Sequence, residues 1–290
     1  MSAKVIGLVG HPRKPGVAEL TNALREEFAR HQVTVRLDQT TATLIGNSAA
    51  GQTVQDLAKE CGLIIVLGGD GTILSTVDAL GEHLRPIFGI NLGTLGFLTC
   101  LGPADYRQAV RSIVAETYVL TPRTLLDVTV LRDGACIGSH RGLNDAVISR
   151  GALSRLIRLE VRVNHTLLTE YNADGLIVAT PTGSTAYSLS AGGPLLSPES
   201  NVFAITPICP HTLTNRSIII GDQSEVDVLL CNQQDEVFLT VDGQRAVPMK
   251  AQDIVRIRRS EQSLHLAMMP DLPFFEVVRR KLKWSGNTIN

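Results

Sequence analysis

A glycine-rich stretch, Gly68-Gly-Asp-Gly-Thr72, follows a run of five apolar residues. Glycine turns between a buried strand and a helix commonly hold phosphate groups, because backbone N–H groups and the helix dipole favour anions. The stretch has neither the Gly-x-x-x-x-Gly-Lys-Ser/Thr spacing of P-loops nor the third glycine of the Gly-x-Gly-x-x-Gly dinucleotide fingerprint. It also carries an acid, Asp70, where an anion would sit. A tight turn with Asp70 as a helix cap is the alternative interpretation.

A second stretch, residues 180–194, combines small and hydroxyl side chains with one aromatic ring. We predict a short helix there, capped by Thr182 or Ser184. Ala186 and Tyr187 would each share a helix face with a hydroxyl of the following turn. A ring that stacks, a small residue that leaves room and hydroxyls that bind polar edges suit a nucleoside. The alternative is a surface loop rich in serine and threonine.

A third group interrupts the apolar run from Leu143 to Ile148 with Asn144 and Asp145. An Asn side chain can donate to and accept from a base edge, and a carboxylate can accept the hydroxyls of a ribose. A turn at a strand edge is an equally good interpretation of this pair. Arg155 and Arg158 follow and are able to meet phosphate, although lone arginines on an alternating strand are more often solvated.

The residues before about 118 alternate between strand and helix patterns. Continuous apolar runs are typical of strands covered on both faces, and apolar residues spaced by three and four indicate helices. The pattern predicts a doubly wound α/β domain. The predicted strands are 4–9, 33–37, 63–67 and 87–90, and the predicted helices lie around 17–28, 54–60, 72–80 and 106–114.

After Leu120 the apolar period changes to two, which predicts a mostly β region. Asp133-Gly134 is a turn signal within it, and residues 183–192 form a non-β insert. The last segment, 274–284, has apolar residues near helical spacing. The predicted strands are 126–130, 157–163, 202–205, 226–230, 237–241, 254–257 and 264–268.

Composition limits the possible classes of protein. The chain has 290 residues, 44% of them apolar, and a net charge of −1, so bulk electrostatic binding to nucleic acid or to an anionic membrane is not expected. We find no signal-peptide pattern and no apolar run that approaches a membrane span. Five cysteines without metal-ligand spacing are interpreted as buried small apolar groups in a reducing compartment: Cys61, Cys100, Cys136, Cys209 and Cys231.

The order of the motifs resembles that of the NAD kinases. Gly68–Thr72, Asn144-Asp145, Asp174-Gly175 and the highly specific 180–194 segment occur in the order of that family, and Asn91–Leu98 is also similar. The resemblance spans nearly the whole chain. The glycine turn by itself is shared with diacylglycerol and sphingosine kinases and with 6-phosphofructokinases, so a lipid or sugar kinase is the alternative function.

The resemblance implies a Rossmann-like N-terminal α/β domain, 1–118, and a β-rich, β-sandwich-like C-terminal domain, 119–270. Residues 271–290 would pack back on the first domain. It implies transfer of the ATP γ-phosphoryl to the 2′-hydroxyl of the adenosine ribose of NAD, giving NADP. It also implies Mg²⁺ or another divalent metal, with no metal ligand assigned in the chain, and a cytoplasmic homodimer or homotetramer.

Carried over position by position, the resemblance makes Asp70 the proton acceptor. Asp145 stands where the family usually has Glu, which retracts the carboxylate by roughly one C–C bond. Asn172 is uncharged where some relatives have a basic residue, which leaves the choice between NAD and NADH open. The residues expected to contact a nucleotide are Gly68, Gly69, Asp70, Gly71, Thr72, Asn144, Asp145, Arg155, Asn172, Asp174, Thr185, Ala186, Tyr187, Ser188, Ser190 and Gln244.

Overall fold

The computed structural model describes residues 5–94, 96–151, 155–212, 214–232, 236–270 and 273–284. These residues fall into two units. The first takes its residues from Met1–Pro122 and Leu264–Asn290, and the second is Arg123–Ser263. The predicted domain boundaries at 118 and 270 stay predictions.

The first unit contains a parallel sheet and its connecting helices. The strand order β3-β2-β1-β4-β5 changes direction at β1, as in doubly wound α/β folds. The elements are β1 (Val5–Gly10), α1 (Val17–Arg30), β2 (Thr34–Asp38), α2 (Gln39–Leu44), β3 (Gly51–Gln52), α3 (Val54–Glu60), β4 (Leu63–Gly68), α4 (Asp70–Leu80), β5 (Ile87–Asn91) and α5 (Tyr106–Val114). The predicted fold class of this half is confirmed.

The apolar runs became central strands of this sheet. All six residues of β4 are buried between β1 and β5, which explains why the run carries no polar alternation. Helix α1 buries the face formed by Val17, Leu20, Leu24 and Phe28, as its spacing predicts.

The second unit is built almost entirely of antiparallel strands. Strand β6 (Val119–Arg132) begins, and strand β17 (Ile254–Met268) ends, among residues assigned to the first unit, and helix α7 (Phe274–Leu282) belongs to the first unit. The other elements of the second unit are β7 (Ala135–Gly142), β8 (Asp145–Arg150), β9 (Ile157–Val163), β10 (Thr166–Ala173), β11 (Gly175–Ala179), α6 (Tyr187–Ser190), β12 (Val202–Ile208), β13 (Ile218–Gly221), β14 (Val226–Leu230), β15 (Val237–Val241) and β16 (Arg245–Met249).

Two groups of strands enclose the core of this unit. One is the six-stranded sheet β13-β12-β11-β8-β15-β16, and the other contains β10-β9-β14 and the first part of β17. Apolar residues from both groups, such as Ile148, Ile205, Val228 and Ile257, form one buried cluster. Two sheets that share one core form a sandwich, and the predicted β-rich class is confirmed.

Two structural expectations were wrong. The separate strands 254–257 and 264–268 are one strand, β17, whose polar middle is largely exposed. The cysteines were expected to be buried, and Cys61 and Cys100 are, but Cys136 and Cys209 are exposed. Among the described helices none is both long and apolar enough to cross a membrane.

Candidate functional site

The acid of the glycine turn lies in the first turn of α4. The N-cap residue is Gly69, and the helix begins at Asp70, two residues earlier than predicted. The Asp70 carboxylate accepts hydrogen bonds from Phe97 N (2.9 Å) and Leu98 N (3.1 Å). Asp70 therefore does not cap the helix, and the alternative interpretation of this residue is wrong.

The loop after β5 holds this carboxylate because it contains a glycine at the point of contact. A Cβ on Gly96 would lie 2.0 Å from Asp70 Oδ1, so no other residue fits without displacing one of the two. The sequence Asn91–Leu98 was recognised as similar to the family, but its role was missed because it acts through main-chain N–H groups. Leu95 lies outside the described residues.

Of the other residues of the turn, Gly68 and Thr72 pack against each other, and Gly71 borders open space. A Cβ on Gly68 would lie 2.2 Å from Thr72 Oγ1, so this glycine makes room for the threonine. Thr72 is buried, and its hydroxyl accepts a hydrogen bond from Gly69 N at 3.3 Å. A Cβ on Gly71 would meet nothing within 4 Å. The first turn of α4 thus has open space at Gly71, and a helix N-terminus suits an anion.

A lysine that the sequence analysis did not single out lies at this turn. Lys14 follows β1, and its backbone N–H donates to His11 Nδ1 at 3.1 Å. A Cβ on Gly69 would lie 3.2 Å from Lys14 Nζ and 3.7 Å from Asn91 Oδ1. That Asn91 oxygen is buried and has no hydrogen-bond partner in the part of the chain that the structure describes. The sequence signal for Lys14 is its position directly after β1, because loops after neighbouring parallel strands meet at one edge of a sheet.

In the second unit, two of the sequence motifs are joined by hydrogen bonds. Thr180 N donates to Asn144 O at 2.9 Å, and Thr180 Oγ1 donates to Leu143 O at 2.6 Å. A Cβ on Gly183 would lie 2.0 Å from Asn144 O. The glycine therefore allows the 180–183 turn to close against the Asn144-Asp145 pair.

Two buried polar side-chain atoms beside this contact, Asn144 Oδ1 and Thr182 Oγ1, have no hydrogen-bond partner among the described residues. A buried polar atom without a partner costs about 1–3 kcal/mol. Such atoms on two joined motifs indicate a place where a polar ligand completes the bonding.

Asp145 is the titratable group of this cluster. Burial, followed by the negative charge of Asp242, raises the pKa of the Asp145 carboxyl to about 7. A perturbed acid among unpaired acceptors is typical of a binding site.

The predicted helix in the 180–194 segment is broken in two. A 3-10 turn covers Gly183–Thr185 and α6 begins at Tyr187, because Ala186 has non-helical angles (φ −100°, ψ −130°). The predicted caps are wrong: Thr182 makes no capping bond, and the Ser184 hydroxyl donates to Pro181 O and accepts from Leu196 N.

Side chains of this segment face different environments. Tyr187 is 47% exposed, so part of the residue is accessible to a ligand. Ser190 is exposed, and Thr185 donates to Thr182 O at 3.0 Å. Ser188 is fully buried, 3.3 Å from Thr206 Oγ1. Its predicted contact with a nucleotide stays a prediction, and its hydroxyl is used inside the fold.

The remaining candidates lie at the surface of the second unit. Asp174 forms an ion pair with Arg150 at 2.6 Å, on the edge of β11. Arg155 and Asn172 are exposed, and the exposed Gln244 donates to Asp242 O at 3.4 Å. Their ligand contacts stay predictions.

No cluster of metal ligands accompanies the glycine turn among the described residues. The single described group of three, His165, Glu225 and Asp227, is at a sheet surface, and Arg256 pairs with both of its acids.

Each unit thus carries one part of a recognisable chemistry. A carboxylate fixed in the first turn of a helix with a lysine at the same glycine turn, and unpaired buried polar atoms on the joined motifs of the second unit, are features of a nucleotide-dependent phosphotransferase. Residues 6–118 match the ATP-NAD kinase N-terminal domain, and residues 143–269 match the ATP-NAD kinase C-terminal domain. The chain belongs to the ATP-NAD kinase family.

Relatives of known name cover almost the full chain. It is 38% identical to the NAD kinase of Solibacter usitatus (97% of this chain, 98% of the relative) and 42% identical to that of Geobacter metallireducens (97% of each). A yeast NADH kinase solved with NADH is 25% identical with a TM-score of 0.89, covering 100% of this chain and 91% of that one. These matches favour the NAD kinase prediction over the lipid or sugar kinase.

Proposed function

We propose that this chain transfers the γ-phosphoryl group of ATP to the 2′-hydroxyl of the adenosine ribose of NAD, giving NADP and ADP. The observation that carries the proposal is the Asp70 carboxylate, which two backbone N–H groups hold at the open N-terminus of α4. The family and its named relatives supply the identity of the two substrates.

Asp70 acts as the proton acceptor in this mechanism. The 2′-hydroxyl donates a hydrogen bond to the carboxylate, and its proton moves there as the new O–P bond forms and the bond to ADP breaks. A carboxylate is a weak base, but it is needed only near the transition state, where the hydroxyl becomes acidic. Phe97 N and Leu98 N keep the carboxylate oriented, so little reorganisation is needed during the reaction.

The donor phosphates lie at the glycine turn. The open space at Gly71 admits a phosphate to the helix N–H groups, and the Lys14 ammonium, beside Gly69, neutralises part of its charge. A divalent metal bound to ATP would add further neutralisation.

The adenosine part of NAD binds to the joined motifs of the second unit. The unpaired Asn144 Oδ1 accepts from a base or ribose donor, and Tyr187 stacks on a ring. Asp145 accepts a ribose hydroxyl when it is ionised. Because Asp145 is shorter than the usual Glu, a water bridge is the expected form of this contact.

The direct experiment is incubation with NAD, ATP and Mg²⁺, followed by enzymatic detection of NADP. Asp70→Asn keeps the shape of the side chain and removes the proton acceptor, so we expect a loss of kcat on the order of 10²- to 10⁴-fold. Asp78→Asn, an exposed acid on the same helix, is the matched control and should retain activity. A folded Asp70→Asn protein with near-native turnover contradicts the assigned role.

Two further properties belong to the proposal. All five cysteines are free thiols, which supports a cytoplasmic location, where thiols stay reduced. The family resemblance supports a homodimer or homotetramer. Light scattering after size-exclusion chromatography distinguishes these assemblies from a monomer.

A further inference from the structure

We propose that Asp242 is a positioning residue that fixes the Asn144-Asp145 turn for binding of the dinucleotide. This inference rests on the proposed function and adds to it a residue that makes no contact with substrate. Asp242 lies 97 residues from Asp145 in sequence, in the turn between β15 and β16.

The conformation of that turn sets the direction of the Asp242 side chain. Asp242 and Gly243 both have positive φ (51° and 65°), and Gln244 N donates to Val241 O at 3.0 Å. Two successive positive φ angles are typical of a tight hairpin turn, and Asp-Gly is a preferred pair there. Asp242 N also donates to Asp145 O at 3.0 Å, which joins the hairpin to the start of β8.

The carboxylate of Asp242 then accepts three consecutive backbone N–H groups. Oδ2 accepts from Leu143 N at 2.7 Å, while Oδ1 accepts from Asn144 N at 2.7 Å and Asp145 N at 3.0 Å. Hydrogen bonds to an ionised acceptor are about twice as strong as neutral ones. Three such bonds leave the backbone of residues 143–145 little freedom, and therefore fix the starting direction of both side chains assigned to NAD.

The charge of Asp242 also acts on Asp145. Ala179 faces Asp145 across the strand pair on β11, and Val241 on β15 pairs with the next residue, Ala146. Asp242 is thus the charged group near this carboxyl, and together with burial it raises the pKa of Asp145 to about 7. Because Asp145 accepts a ribose hydroxyl when it is ionised, NAD affinity should decrease as the pH falls below about 7.

Two substitutions separate the geometric effect from the charge effect. Asp242→Ala removes all three hydrogen bonds. Asp242→Asn keeps one acceptor oxygen for Asn144 N and Asp145 N, but its NH₂ group faces the N–H of Leu143. It also removes the charge that disfavours ionisation of Asp145.

Asp133 is the matched control position. It occupies an Asp-Gly turn between β6 and β7 with the same sign of φ (49°, and 79° at Gly134). Its side chain is exposed, and Asp133→Ala and Asp133→Asn should leave NAD binding unchanged.

The experiment measures NAD binding by calorimetry without ATP, and steady-state kinetics, between pH 6 and 8.5. For Asp242→Ala we expect Kd and KM for NAD to rise on the order of tenfold or more, with kcat at saturating NAD and KM for ATP changed by about twofold or less. For Asp242→Asn we expect a smaller loss, and a midpoint of the pH dependence of NAD affinity that lies below the native value.

The outcomes are decisive even if one variant does not fold. A folded Asp242→Ala protein with native Kd for NAD overturns the proposal, and so does an Asp242→Asn protein with native Kd for NAD at pH 8.5, where Asp145 is ionised in both proteins. If Asp242→Ala is unfolded, the Kd of Asp242→Asn for NAD at pH 8.5 decides alone. Absence of NADP formation by the native protein would refute the proposed function instead, and this result is independent of Asp242.

Discussion

Replacement of Gly96 by alanine tests whether the loop after β5 positions Asp70, the proposed proton acceptor. A Cβ at this position lies 2.0 Å from Asp70 Oδ1 and 2.6 Å from its Cγ, whereas ordinary van der Waals contact begins at 3.4 Å. The loop and the carboxylate must therefore separate by more than about 1 Å, and a misplacement of that size costs on the order of 10²-fold in rate. We expect kcat for NADP formation to fall about 100-fold, with little change in KM for NAD.

The assay is steady-state NADP formation at saturating ATP and NAD, with thermal unfolding as the test of folding. Overpacking of this kind costs about 1–3 kcal/mol of stability, which the protein should survive. Gly102→Ala is the control, because its Cβ would find its nearest neighbour, Asp105 Oδ2, at an ordinary 3.8 Å. A folded Gly96→Ala protein with native kcat would refute the inference that Phe97 N and Leu98 N position Asp70.

Three other predictions follow from single contacts. Lys14→Met should raise KM for ATP about tenfold and leave Kd for NAD unchanged, measured by kinetics and calorimetry; an unchanged KM for ATP removes Lys14 from the donor site. Because burial and Asp242 raise the pKa of Asp145 to about 7, the free energy of unfolding should fall by about 4 kcal/mol between pH 4 and pH 8 through this group. Asp145→Asn should abolish this pH-dependent contribution, measured by urea unfolding at several pH values. An identical dependence of the free energy of unfolding on pH in both proteins contradicts the prediction. Arg132→Met should destabilise the second unit by about 2 kcal/mol, because Asp253 is fully buried and accepts two hydrogen bonds of 2.8 Å from Arg132; calorimetric unfolding with an unchanged midpoint would exclude this.

Local patterns predicted most elements because burial on one or both faces leaves a clear period in the sequence. Helix α3 has the bounds that its spacing indicated, and the run Leu63–Leu67 is a central strand. The spacing of apolar residues did not predict the structure where a segment has no buried face. The polar residues 258–263 continue β17 because strand geometry persists without an apolar face, and no local pattern distinguishes this from a loop.

The sequence suggested candidate side chains where chemistry depends on residue type. Asp70, Asn144 and Tyr187 were selected because an acid, an amide and an aromatic ring stood in unusual surroundings, and their roles stay predictions. The helical face expected for the 180–194 segment was not found, because Ala186 interrupts the helix. Lys14 was missed because its position depends on which strands are neighbours in the sheet, and the order of strands is a tertiary property.

Two carboxylates, one in each unit, are held in the same way. Asp70 accepts N–H groups from the two residues after Gly96, and Asp242 accepts them from the three residues after Gly142. A Cβ would lie 2.0 Å from Asp70 Oδ1 in the first case and 3.1 Å from Asp242 Oδ1 in the second. A run of backbone donors can close on a carboxylate only if no side chain intervenes where the run begins. The donors may then carry any side chain, since only their main chain acts. The sequence therefore indicates such a site through the glycine and the distant acid. The residues whose backbone N–H groups donate the hydrogen bonds carry little sequence signal.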